Sequence, residues 1–272
     1  MITIMLPAYN EEENLEPLIA RLQAVMEPLG LPYRVLIVDD GSVDGTAAVL
    51  ERLRDVAPLR VVRHVNNMGL ARTLQDGLLN AAQDADAGDV IITMDADNTH
   101  DPGHIPAMLR RLAEGHDVVI ASRFQPGGRE IGLTLKRRLL SRGANFIIKV
   151  CFPTRNVRDF TSGYRAYRAG ALRRALDFYG DRLIEATTFA ATAEVLLKLR
   201  AMGMSAVEVP LVLRYDLKGG SSKMRVARTI RDYFSMMWRV WRLQWSAAAR
   251  MERRKLAPAG GLGGSVPRGV EK

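Results

Sequence analysis

Along the first half of the chain, short apolar runs alternate with stretches whose apolar residues recur every three or four positions. Residues 2–6, 34–38, 60–63, 90–94 and 118–121 read as strands, and helical spacing follows over 11–27, 45–56, 70–83 and 106–114. Such alternation predicts βαβ units, hence an α/β fold with a mostly parallel sheet flanked by helices. In sheets of this kind ligands bind beyond the carboxyl ends of the strands. The second half is less regular: a basic helix over 136–152, a turn-rich stretch over 155–165, a helix over 190–201, a strand over 206–213 and a long C-terminal helix. The chain therefore divides into one large domain (1–222), an amphipathic basic helix (223–256) and a Gly/Pro-rich tail (257–272) that reads as disordered.

With 272 residues, 47% of them hydrophobic and 25% charged, the composition is that of a globular protein and excludes fibrous and disordered classes. The formal charge of +9 changes meaning once it is divided along the chain. Residues 1–222 hold 27 basic and 27 acidic side chains, and residues 223–272 hold 12 and 3, so the whole excess lies in the C-terminal segment. There Arg228, Arg231, Arg239, Arg242, Arg250 and Arg253 fall within an arc of roughly 100° on a helix, away from Val226, Ile230, Tyr233, Phe234, Met237, Trp241 and Trp245. A cationic, tryptophan-bearing amphipathic helix suits the surface of an anionic membrane. Packing on the domain or on a second subunit is the other reading. Nucleic acid is not an expected partner, because tryptophans on an apolar face suit a bilayer better.

No apolar run reaches the ~18–20 residues of a membrane span, and Glu11, Glu12 and Glu13 follow the first strand too soon for a signal peptide. The single cysteine, Cys151, cannot close an internal disulfide, and its apolar surroundings predict an inert buried thiol in a reducing compartment.

The chemistry gathers at strand ends. Pro7-Ala8-Tyr9-Asn10-Glu11 closes the first strand, and Asp39-Asp40-Gly41-Ser42 closes the second. Carboxylates placed there can accept from ribose hydroxyls and ring N–H groups, and glycine permits a tight turn beside them. Asp44, in Asp44-Gly45-Thr46, reads equally as a helix N-cap. After the fourth strand, Asp95-Ala96-Asp97 offers oxygen ligands of the kind that Mg²⁺ and Mn²⁺ prefer. No G-x-G-x-x-G or G-x-x-x-x-G-K-[ST] follows any strand, which disfavours Rossmann dehydrogenases and P-loop enzymes.

Taken together, Pro-x-Tyr-Asn-Glu, Asp-Asp-Gly-Ser and Asp-x-Asp on successive strands resemble the family 2 glycosyltransferases, which implies the GT-A nucleotide-diphospho-sugar transferase fold. Asn67 and Gly69 resemble that family's Asn-x-Gly turn. Ala121-Ser122-Arg123-Phe124 with Gly127-Gly128 resembles a segment of the polyprenyl-phosphate mannose synthases. The likeness continues through residues 137–145 and 159–165, Val209-Pro210, Arg214 and Ser221-Ser222-Lys223-Met224, about residues 1–224 in all.

The resemblance implies a role for each matching position. Pro7, Tyr9, Asn10, Glu11, Asp39, Asp40 and Asp95 would contact the nucleotide, and Asp95 and Glu194 the sugar. Asp95, Asp97 and Thr99 would hold Mg²⁺ or Mn²⁺, with His100 and His104 in supporting roles. Arg123, Arg137, Arg214 and Lys223 would bind the acceptor and donor phosphates, and Asp97, Asp159, Arg123 and Arg137 would form the catalytic set. For Glu194 the alternative is a structural partner for an arginine.

The implied activity is inverting transfer of a hexose to a polyprenyl phosphate. Mannose from GDP-mannose leads; UDP-glucose, UDP-N-acetylglucosamine and a different acceptor are the alternatives. A lipid monophosphate is already largely ionised at neutral pH, with a second pKa near ~6, so it needs no strong base. A sugar hydroxyl would need one, for which Asp159 or Glu194 is the candidate. The expected setting is the cytoplasmic membrane face, with the enzyme peripheral to it through the C-terminal helix, as a homo-oligomer or beside a membrane subunit.

Overall fold

A computed structural model describes residues 1–217 and 226–245. Seven of its strands form one sheet in the order β3-β2-β1-β4-β7-β5-β8: β1 (Ile2–Ala8), β2 (Tyr33–Asp39), β3 (Leu59–Arg63), β4 (Val90–Thr93), β5 (Val118–Ser122), β7 (Arg165–Arg168) and β8 (Ala206–Pro210). All pairings are parallel except those of β7, which runs antiparallel between β4 and β5.

Successive residues of the central strands are buried on opposite faces, so the sheet carries a core on each face. Ile4, Leu6, Ile37, Ile92 and Val119 pack with α1 (Leu15–Met26), α2 (Thr46–Leu53) and α4 (Ile105–Ala113). Met5, Leu36, Val38, Ile91 and Ile120 pack with α3 (Leu70–Gln83), α6 (Ala169–Tyr179), α7 (Ala190–Ala201) and, further out, α5 (Leu135–Cys151) and α8 (Val226–Trp245). Strands covered on both sides read as continuous apolar runs, which is why five of them are visible in the sequence.

The turn-rich reading of 155–165 leaves β7 and α6 unforeseen. The strand hides because its first residue, Arg165, is fully buried; its guanidinium donates to the carbonyls of Thr192 and Phe160 at 2.5 and 2.7 Å. A charged residue inside the core defeats an alternation rule, but satisfied hydrogen bonds make it tolerable. The strand expected over 206–213 also divides. After Pro210 the chain leaves the main sheet, and β9 (Val212–Arg214) pairs with β6 (Arg129–Ile131) in a separate two-stranded sheet. Proline has no N–H to donate, so it marks where the edge strand stops. Cys151 is exposed, not buried, at the end of α5.

On α8 the apolar face read from sequence splits in two. Met236, Met237 and Val240 are buried in the core with Tyr233 beside them, while Ile230, Phe234, Trp238 and Trp241 stay exposed and the two tryptophan rings stack at 5.4 Å. Asp232 fastens the helix by accepting from the backbone N–H groups of Thr187 and Thr188 and from the Thr188 hydroxyl. The helix thus packs on the domain through one face and leaves another uncovered. Arg250, Arg253 and the tail over 257–272 lie outside the described residues.

Candidate active site

Parallel strands bring their carboxyl ends to one edge of the sheet, and the loops after β1, β2, β4 and β5 meet there. The antiparallel β7 contributes its beginning to the same edge, because Arg165 is in register with Thr93 and Ile120. Residues 159–164 are therefore delivered beside the Asp-x-Asp turn. The Thr93 hydroxyl donates to the Gly163 carbonyl at 2.7 Å, and a β-carbon on Gly163 would stand 3.4 Å from Asp95 Oδ1.

At the β1–β2 end the loops interlock. Asn10, at φ +55°, donates its N–H to Ser42 Oγ, and its side-chain oxygen accepts from the Val43 N–H, both at 2.9 Å. Glu11 donates its backbone N–H to Thr46 Oγ1. Asp44 accepts from the N–H groups of both Thr46 and Glu12, so it fastens this turn. Pro7, Tyr9 and Glu11 are half-buried along the rim. Asp39 is fully buried: Oδ1 accepts from the Ser42 N–H, Arg63 Nε lies 3.1 Å from Oδ2, and Oδ2 has no aligned hydrogen bond. A buried carboxylate oxygen with an open acceptor position matches a ribose hydroxyl or a base N–H.

Asp40 is placed differently from the nucleotide contact expected of it. Its oxygens accept from the Met68 and Gly69 N–H groups at 2.8 Å and face His64 Nδ1 at 2.7 Å, while His64 Nε2 reaches Asp76 at 3.1 Å. Asp40 thus holds the 64–69 loop against the site, and the Asn-x-Gly turn owes its position to it. Gly41, at φ +68°, sits where a β-carbon would come within 2.6 Å of the Asn66 carbonyl carbon. Left-handed strain and this clash act together, so Gly41→Ala is expected to cost about 1–3 kcal/mol, as thermal melts would show.

At the centre, Asp97 is buried and Oδ1 accepts from both the N–H and the hydroxyl of Thr99, the latter at 2.6 Å. The Thr99 hydroxyl, expected on the metal, is here the group that aims Asp97. The Asp95 side chain is half-exposed, its N–H donates to His100 Nδ1 at 3.0 Å, and His100 stacks on buried Tyr164. Burial holds His104 below the usual histidine range. Among the described residues no group of three or more His, Cys, Asp or Glu is arranged to hold a metal ion by itself. Two carboxylates with a hydroxyl nonetheless fit a Mg²⁺ or Mn²⁺ that completes its shell with substrate phosphates and water.

The acceptor side contains the largest departures from expectation. Arg123 and Asp159, expected as separate catalytic groups, form a buried bidentate pair: Nε to Oδ2 and Nη2 to Oδ1, each 2.8 Å. Asp159 also accepts from the N–H groups of Arg123, Thr161 and Ser162. Burial alone would raise its pKa, but Arg123 and these donors outweigh it and hold the carboxyl below its ordinary value. Arg123 is raised for the complementary reason: burial opposes its charge, and Asp159 with Glu130 more than compensates. Glu130 also faces Arg138. Glu208, whose pKa burial raises, accepts from the N–H groups of Arg158 and Asp159 and so supports the loop from behind.

The sequence reading missed Glu130 and Glu208. The available signal for Glu208 was a lone carboxylate on the inward face of strand 206–213.

Glu194, expected at the sugar, is engaged inside the core. It is fully buried on α7, accepts from the Glu185 and Ala186 N–H groups, and pairs with Lys198 Nζ at 2.8 Å; Arg239 Nε lies 3.8 Å away. Glu194→Ala is expected to cost about 3 kcal/mol by leaving the buried Lys198 charge to the half-exposed Glu185 alone and unpairing the Glu185 and Ala186 N–H groups, while the KM for donor stays within about twofold. Denaturant melts and initial rates check both halves. Arg214 is joined bidentately to Asp216 and is brought to the centre by its N–H, which donates to the Thr99 carbonyl at 3.0 Å. Arg137 lies on α5, and Lys223 falls outside the described residues.

The family described as "Glycosyl transferase family 2" matches residues 3–176. A dolichol-phosphate mannosyltransferase of Pyrococcus furiosus is 30% identical over 90% of this chain and 64% of its own length. A polyprenol monophosphomannose synthase of Mycolicibacterium smegmatis is 31% identical over 93% and 89%. The chain thus spans under two thirds of the Pyrococcus relative and most of the mycobacterial one. Among solved structures, a glucosyl-3-phosphoglycerate synthase from Mycobacterium tuberculosis, in complex with Mn²⁺, UDP and glucosyl-3-phosphoglycerate, superposes with a TM-score of 0.57 at 18% identity. That superposition covers 96% of this chain and 82% of that one.

Proposed function

This chain belongs to glycosyl transferase family 2, and from that premise we propose that it transfers mannose from GDP-mannose to a polyprenyl phosphate with inversion, giving a β-linked product. The observation that carries the choice of acceptor is the state of the two carboxylates that were candidate bases. Asp159 is locked to Arg123 with a depressed pKa, and Glu194 is buried against Lys198. Neither is free to take a proton from a hydroxyl. An acceptor that brings its own ionised oxygen needs no base, and a phosphate monoester is such an acceptor.

The remaining task is alignment and charge. Asp39, with its open buried oxygen, and the interlocked loops 9–12, 39–45 and 64–69 hold the nucleoside. Asp95 and Asp97 hold the divalent cation, which when bound neutralises the departing diphosphate. Thr99 aims the Asp97 carboxylate, and His100 holds the Asp95 backbone N–H, so the turn that presents both carboxylates is fixed. Arg123, Arg137, Arg214 and Lys223 are the cations assigned to the phosphates, where they would offset the repulsion between two anionic reactants.

Membrane contact belongs to the same reading. The exposed residues Ile230, Phe234, Trp238 and Trp241 on α8 lie near α5, whose outer side exposes Leu135, Leu139, Phe146 and Val150. Two neighbouring helices with uncovered apolar sides and basic flanks suit a lipid surface, where a polyprenyl acceptor resides. No helix among the described residues is long and apolar enough to cross a membrane.

The test is glycolipid formation from a short polyprenyl phosphate, Mg²⁺ and GDP-mannose, UDP-glucose or UDP-N-acetylglucosamine offered separately. Product is expected from GDP-mannose alone, and none in EDTA. Product from a UDP-sugar would replace the donor, and metal-dependent donor hydrolysis without glycolipid would remove the acceptor.

A further inference from the structure

Beside the acceptor side of the site, a wide cavity of about 620 Å³ opens between the 124–128 loop and α5. Gly127 and Gly128 form one wall, and Arg142, Phe146 and Lys149 form the other, with Arg158 at the edge. The loop can lie this close to β5 because Gly128 has no side chain; a β-carbon there would be 2.7 Å from the Ser122 and Arg123 carbonyl oxygens.

The cavity lining contains four cations and no carboxylate. Arg123 is neutralised from within by Asp159 and Glu130. Arg142, Lys149 and Arg158 are exposed and make no ion pair with any described residue. Nearby carboxylates are already engaged: Glu130 by Arg123 and Arg138, and Glu208 by Gln125 and two backbone N–H groups.

Arg142 and Lys149 lie around α5 from position 137, the position on this helix assigned to the acceptor phosphate. At 100° per residue, position 137 lies roughly 140° around α5 from Arg142 and roughly 120° from Lys149. Arg142 and Lys149 instead border the exposed apolar stripe of Leu135, Leu139, Phe146 and Val150, whose members lie within roughly 60° of one another. Phe146 belongs to both the stripe and the cavity wall. A ligand satisfying both surfaces is an amphiphile with an anionic phosphate head and an apolar tail.

We propose that this cavity binds the phosphate headgroup of an anionic membrane phospholipid, separately from the acceptor, and so fixes the depth and rotation at which the site meets the lipid surface. The inference rests on the membrane-surface part of the proposed function and not on the identity of donor or acceptor.

The experiment measures partition of the full chain onto phosphatidylcholine vesicles with and without phosphatidylglycerol, in the absence of nucleotide sugar and polyprenyl phosphate. The cavity variant is Arg142→Gln/Lys149→Gln/Arg158→Gln. The charge-matched control is Arg52→Gln/Arg54→Gln/Arg111→Gln, on helices packed against the opposite face of the sheet. Phosphatidylglycerol is expected to raise partition of the unmodified chain, the cavity variant to lose at least about tenfold of it, and the control to stay within about twofold.

Equal losses in both variants would overturn the site in favour of diffuse attraction, and no loss in the cavity variant would overturn it outright. Inorganic phosphate that displaces the chain from phosphatidylglycerol vesicles at low millimolar concentration, at constant ionic strength, would make the cavity a free-phosphate site and overturn the lipid source. Failure of the unmodified chain to bind phosphatidylglycerol vesicles would strike the membrane reading itself, a distinguishable result.

Discussion

Asp97→Ala is expected to lower glycosyl transfer at least about 10³-fold while leaving the fold intact. Asp97 Oδ1 accepts from the N–H and hydroxyl of Thr99 in the same turn, and the substitution removes the proposed metal ligand. Asp97→Asn keeps the shape and removes the charge, and the same order of loss is expected. Thr99→Val makes a graded companion: without the 2.6 Å hydroxyl bond Asp97 loses its aim, and metal affinity is expected to fall about 10–100-fold. Mn²⁺ titrations and steady-state rates measured on the same preparations separate these effects from misfolding.

Asp159→Ala is expected to act on stability first, by about 3–5 kcal/mol, because it leaves the buried Arg123 guanidinium facing Glu130 alone and strands three backbone N–H groups. For a chain of this size that is a fall in melting temperature of roughly 10 °C. The pH dependence has a definite sign. The folded pKa of Asp159 lies below its unfolded value, so its contribution is complete above about pH 4 and is lost as pH falls through the depressed folded value. Acid titration of stability in Asp159→Asn is expected to lack that part of the slope. Thermal melts from neutral to acid pH check both statements.

The strands that position the nucleotide end were legible because they are buried on both faces and contain little besides Val, Ile, Leu and Met. Carboxylates and asparagine just past their ends stood out against that background, and Asp39, Asp95 and Asp97 do converge at one edge of the sheet. The acceptor side was harder to read because its logic is pairwise. Arg123 and Asp159 are 36 positions apart, and nothing in either local sequence says that each neutralises the other. Arg165 concealed a strand by being buried with a charge, and Glu194 looked available because its partner Lys198 is one helical turn away on a segment that is buried on all sides. Asp40 was misjudged for a related reason: a carboxylate after a strand can hold a ligand or hold a loop, and the three donors that decide it come from residues 64, 68 and 69. On α8 the period showed an apolar face, but only packing could divide it into a covered part and an open one.

Neither candidate base, Asp159 nor Glu194, is free in this site, so the proposed acceptor is one that supplies an oxygen already ionised. The most direct measurement compares transfer from GDP-mannose to a polyprenyl phosphate and to the neutral polyprenol of the same length, each across pH. The account predicts transfer to the phosphate only, with a rate that falls below about pH 6 as the phosphate regains its second proton, and with that limb unmoved in Asp159→Asn. Comparable transfer to the alcohol, or a limb that shifts when Asp159 is changed, would contradict it.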